Sequence, residues 1–144
     1  MFERVELVEY TRGEELFNTV THAAGVLFAL VLGAVLLADT IGTGAWNRVV
    51  SAAVYALSLA VMYGASALYH GLPCGRLKKA ARVVDHSLVF ILLAGTATPC
   101  ALISLMAVRP ANAVFVAVFA WASAAVGVVS ALLFFEKTKA LRLV

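Results

Sequence analysis

Few strongly polar residues lie in or beside the apolar sequence of this chain, and their spacing groups them. Glu15, Asn18 and His22 stand at i, i+3 and i+7, with Thr21 beside His22. On a helix that spacing sets all three on one face. Ser66 and His70 stand at i and i+4, with Tyr63 one turn earlier on the same face. Asp85 is the only acid between Asp39 and Glu136. Neutral imidazole is the commonest metal ligand, and a nearby hydroxyl can orient it or a bound water. A carboxylate at the same depth suits metal-assisted hydrolysis or acid–base work. His70 and Asp85 are fifteen residues apart, across one short connection, and are expected at one depth. His86 adjoins Asp85 but points about 100° away on a helix, so it is expected outside the site.

Each group also has a plainer reading. Glu15, Asn18 and His22 can simply hold helices together through hydrogen bonds. A histidine at a helix end can be an interfacial residue. Asp85 can pair with Arg82 or with a lysine of the connection before it. Polar groups buried in hydrocarbon are costly, so either reading requires partners.

The elements that carry these residues are four uncharged apolar runs. Leu16–Ala38, Val49–Gly75, Ser87–Val108 and Pro110–Phe135 contain no Asp, Glu, Lys or Arg. Each exceeds the roughly 20 residues that cross about 30 Å of hydrocarbon. A soluble domain would not leave four helices without a charged face. The fold class is therefore all-α, a polytopic transmembrane helical bundle forming one membrane domain over 1–144. Its spans are expected at about 16–38, 49–70, 84–106 and 112–135, behind a lead-in over 1–15. Thr11 and Glu14 have capping-box spacing, so the first helix is expected to open near Arg12. The connection Thr40–Asn47 carries Gly42 and Gly44, and Trp46 suits a membrane interface. Gly71 and Pro73 stop the second helix, and a basic loop is expected before a third span that starts near Val83 or Val84. Within that span Pro99 removes a backbone donor, and a kink eased by Thr96 or Thr98 is expected. The fourth span offers only small residues, Ala120, Ala124 and Gly127, for close helix contact.

Of 144 residues, 63% are hydrophobic and 13% charged, far from globular usage. The net charge of +3 is too small to argue for nucleic acid, and no such partner is expected. Membrane lipids are the expected partners, and self-association through exposed polar faces is a further expectation. An acidic segment (Glu3, Glu6, Glu9, Glu14, Glu15) precedes the first run, unlike the basic start of a cleavable signal, so that run is read as a retained span. Arg4, Arg12, Arg76, Lys78, Lys79, Arg82, Lys137, Lys139 and Arg142 fall on one side, against Arg48 and Arg109 on the other. The positive-inside rule then sets the N-terminus, the middle connection and the C-terminus in the cytoplasm. Cys74 and Cys100 would lie roughly 20–30 Å apart across the bilayer, beyond disulfide reach, and are expected as free thiols.

The pattern Glu15-x2-Asn18-x2-Thr21-His22, Ser66-x3-His70, Asp85 and Gly95-Thr96-Ala97-Thr98-Pro99 resembles the hemolysin III family. That family is the bacterial branch of the progestin and adipoQ receptor superfamily, related more distantly to alkaline ceramidases. The likeness runs from about Tyr10 to Pro99; the fourth span matches only in hydrophobic character. It implies a seven-helix fold in the bacterial inner membrane with a cytoplasmic N-terminus. It also implies a zinc site in which His70 is a ligand, Asp85 holds the zinc-bound water and Ser66 supports them. Glu15, Asn18 and His22 belong to the signature. The remaining ligands come in that family from a His-x3-His motif, which this sequence lacks; its only histidines are His22, His70 and His86. The chain is accordingly expected to be a fragment or a shortened form, with the zinc site incomplete within it.

Three functions follow from these readings. The first is a membrane-perturbing, cytolytic or membrane-homeostasis role, as the family name implies. The second is zinc-dependent, ceramidase-like hydrolysis of a membrane lipid by a full-length form, with Asp85 and Ser66 catalytic and His70 on the metal. The third, a receptor or sensor, has little support in such short extramembrane segments.

Overall fold

The computed structural model describes residues 5–135. Of the basic residues that set the orientation, Arg4, Lys137, Lys139 and Arg142 lie outside them. Four long helices follow in chain order: α1 (Arg12–Ile41), α2 (Trp46–Gly71), α3 (Arg76–Pro99) and α4 (Pro110–Phe134). All four are long and apolar enough to cross a membrane.

Helix α1 opens on the expected capping box. The Thr11 amide donates to Glu14 Oε2 at 2.7 Å, and the Glu14 amide donates to Thr11 Oγ1 at 3.3 Å. Two of the first-turn donors are thereby satisfied at the boundary between water and the apolar run. Residues 42–45 join α1 to α2, with Gly44 at φ 66, a left-handed value that favours glycine.

The expected basic loop takes a different form. Arg76, Lys78, Lys79 and Arg82 lie in the first two turns of α3, and the connection from α2 is only Leu72–Gly75. Lysine and arginine are good helix formers, and no breaker follows Gly75, so the helix extends outward beyond the charge-free run. The Pro99 region also differs from expectation. The helix continues past it as a π-helical turn, Cys100–Leu105. Thr96 and Thr98 donate to the carbonyls of Leu92 and Ala94, not to that of Gly95. A proline without its N–H breaks the i→i−4 ladder, and a wider turn takes up the mismatch.

Short connections make chain neighbours antiparallel. Each helix packs on its neighbours in sequence, and among the described residues no close backbone approach joins α1 to α3 or to α4. The helices thus form a row. Small residues let them approach: Gly33 lies over Ala56, Gly25 against the Tyr63 ring, and Gly127 against the Phe90 ring. The buried set is accordingly small-chained, with Ala29, Ala52, Ala56, Ala94, Ala113, Ala124 and Ala131. Large apolar side chains such as Leu27, Phe28, Phe115 and Phe119 point outward, as lipid-facing residues do. Trp121 Nε1 donates to Thr98 Oγ1 at 3.1 Å, tying α4 to α3. Near the opposite end from the basic residues, Asn47 Nδ2 donates to the Leu102 carbonyl at 2.9 Å and ties α2 to the π turn.

Candidate functional site

The start of α1, the end of α2 and the start of α3 meet at the basic end of the row, and their polar side chains meet with them. Glu15 is the junction. Its Oε2 lies 2.8 Å from His70 Nδ1, and its Oε1 lies 2.8 Å from Lys78 Nζ. A carboxylate paired with a lysine has no proton to give, so His70 donates from Nδ1. Lys78 is buried at 3% side-chain exposure. Besides Glu15, its ammonium meets the carbonyl oxygens of Leu72 at 2.9 Å and His70 at 3.3 Å. It also lies 5.3 Å from the centre of the Tyr69 ring. One buried cation therefore closes the end of α2 and holds the acid that orients His70.

Aromatic rings enclose the imidazole. Tyr69 lies at 4.7 Å, Tyr10 edge-on at 5.4 Å and His22 near-parallel at 5.9 Å between ring centres. His22 in turn meets Tyr63 at 5.8 Å, and its Nδ1 is buried without a hydrogen-bond partner among the described residues.

The fold thus brings together Glu15, His22 and His70 from the sequence-derived set. Ser66 is buried one turn before His70 on α2. Asn18 is half-buried and lines an open groove of about 360 Å³ with Tyr10, Gly13, Glu14 and Phe17, beside the cluster. Asp85 stands on α3 with Oδ2 at 3.7 Å from His86 Nδ1. Among the described residues no hydrogen bond joins it to His70; the carboxylate on His70 is Glu15.

Sequence reasoning missed Lys78, Tyr69 and Tyr10. For Lys78 a signal existed: Lys78, Arg82 and Asp85 stand at i, i+4 and i+7, one helical face, once that segment is read as helix. For Tyr69 and Tyr10 there was none, because ring stacking depends on how the helices come together.

Zinc sites use three or four protein donors. Among the described residues no group of three or more His, Cys, Asp or Glu side chains could hold a metal ion, so these residues alone do not fit a zinc centre. His70 has one ring nitrogen, Nδ1, on a carboxylate. Cys74 and Cys100 are free and exposed.

A family model described as Haemolysin-III related matches residues 10–144. Hemolysin-3 of Bacillus cereus is 33% identical over 92 residues, covering 64% of this chain and 42% of that protein. The Hemolysin-3 homolog of Bacillus subtilis (strain 168) is also 33% identical over 92 residues, covering 62% of this chain and 42% of the relative. The chain therefore matches well under half the length of these curated relatives. No solved structure matches it significantly.

Proposed function

The chain belongs to the Haemolysin-III-related family, and from that premise we propose that it acts on the state of the bilayer it spans. The role is membrane-perturbing or homeostatic, in the bacterial inner membrane, with lipids as partners and the basic end in the cytoplasm. On this reading the polar cluster is a brace. Support comes from its closure on itself: Glu15 takes both His70 and Lys78, and Lys78 also binds two carbonyls of the α2 end. Further support comes from the Bacillus relatives Hemolysin-3 and the Hemolysin-3 homolog. The test is lysis of cells or vesicles carrying the chain, with and without His70→Ala and Asp85→Ala. Equal lysis by all three is the expected result. Loss of lysis with either substitution, while insertion is unchanged, overturns the reading.

One observation favours a second reading, a zinc-dependent hydrolase of a membrane lipid. Glu15 Oε2 on His70 Nδ1 fixes the tautomer that offers Nε2 to a metal. His70 would supply one donor, and the others would come from residues beyond those described. Bound zinc acidifies a water and so supplies the nucleophile for hydrolysis. Asp85 and Ser66 are the residues assigned to the chemistry around it. The longest product of the gene is expected to retain zinc through chelating washes on this reading, and to lose it with His70→Ala. Zinc content that ignores His70 refutes it.

A further inference from the structure

The seven residues before α1, Val5–Thr11, have no regular secondary structure, yet they are fastened at three points. Val5 is 3% exposed, in a cluster with Val83 at the start of α3 and Phe135 at the end of α4. The Glu6 carbonyl accepts from the Arg82 guanidinium on α3. Tyr10 lays its ring edge-on to His70, with centroids 5.4 Å apart. Val8, between these anchors, faces away and is 42% exposed.

These anchors carry the segment from α1, over the end of α2, to the far side of the row. Packed helices stand about 8–10 Å apart, so passing from α1 to α3 takes about 16–20 Å. Seven extended residues reach about 23–25 Å. The segment crosses with little slack, and its path lies over the Glu15–His70–Lys78 cluster. Two of its anchors, the Glu6 carbonyl and the Tyr10 ring, are a backbone group and a contact on α2. The side-chain anchor on α3 and α4 is Val5.

We propose that Val5–Thr11 is a strap closing the basic end of the row over the His70 cluster, and that undocking of Val5 from Val83 and Phe135 opens the cluster to water-borne solutes. The inference is independent of whether the cluster is a brace or a metal site.

The test uses the chain in membranes with Cys74→Ser and Cys100→Ser. Ser66→Cys, buried one turn from His70, reports access by its rate of labelling with a water-soluble maleimide. Adding Val5→Asp removes the apolar anchor, and the rate is expected to rise at least about tenfold, in line with the transfer energy of a buried valine. Val8→Asp, on the exposed side, is expected to leave it unchanged. Separately, Val5→Cys with Val83→Cys is expected to form a disulfide on mild oxidation, faster than Val8→Cys with Val83→Cys. A labelling rate indifferent to Val5→Asp, or cross-linking no faster from position 5 than from position 8, overturns the proposal.

Discussion

Lys78 is a cation held at 3% exposure among three helix ends, and burial of that kind is unfavourable unless every donor finds an acceptor. It finds Glu15 and two backbone carbonyls. Removing the acid while leaving the lysine is therefore the more damaging change. Glu15→Ala is expected to cost about 3 kcal/mol, the low end for breaking a buried pair, because the two carbonyls remain. Replacing both partners by apolar residues, Glu15→Leu with Lys78→Met, is expected to recover most of that loss. Detergent-driven unfolding followed by circular dichroism reads both, and a neutral Glu15→Ala would show that the pair carries no stability. His70 depends on the same acid for its tautomer. The nitrogen-15 shifts of its ring should show Nδ1 protonated in the parent chain and a tautomer mixture in Glu15→Ala.

At the scale of the element, two helix features carry consequences. The Glu14 carboxyl is held below its ordinary 4.5 by bonds from the Thr11 backbone and side chain. An acid whose pKa is depressed by folding contributes stability that is present above the unfolded value and lost as pH falls through the folded one. Fraying of the first turn of α1 is thus expected on acidification below about pH 4.5, read as faster amide exchange there. Thr11→Ala is expected to produce the same fraying at neutral pH, at about 1 kcal/mol. The second feature is the close pass of α4 over α3. A Cβ at Gly127 would lie 2.5 Å from a Phe90 ring carbon, so Gly127→Ala must displace that ring. A loss of about 1–3 kcal/mol is expected, and Phe90→Leu in the same chain should relieve much of it. If Gly127→Ala alone is silent in the same unfolding measurement, α3 and α4 do not pack closely at Gly127 and Phe90.

For the molecule as a whole, the decisive question is which way the row faces. The basic end gathers Arg12, Arg76, Lys79 and Arg82, and the same end holds the exposed Cys74. On the positive-inside rule we propose that this end faces the cytoplasm. Cys74 is expected to react with a membrane-impermeant maleimide in inverted vesicles and not in intact cells. Labelling of Cys74 from outside the cell would reverse the orientation. The row arrangement matters equally, since among the described residues the helix backbones approach closely only between chain neighbours. The edges of the row and its broad faces meet lipid or further protein, and the exposed leucines, valines and phenylalanines suit either.

Some of this was determined by the chain itself. Four charge-free runs must become helices in hydrocarbon, because only a helix satisfies its own backbone there. Thr11 and Glu14 fix where the first one opens, since a capping box is a local interaction of residues three apart. That Glu15, Asn18 and His22 share one face of α1, and Ser66 and His70 one face of α2, was also legible, because helical spacing alone fixes it. The tertiary structure decided the rest. That Glu15, and not Asp85, is the carboxylate on His70 depends on the rotation of α1 against α2, which pattern alone leaves open. That Lys78 is buried depends on α3 beginning at Arg76, within reach of the α2 carbonyls, where sequence reading placed a solvated loop. The π turn after Pro99, the bond from Trp121 to Thr98 and the crossing of Val5 to Val83 all join residues distant in sequence. Their energies come from surfaces that exist only once the helices stand side by side.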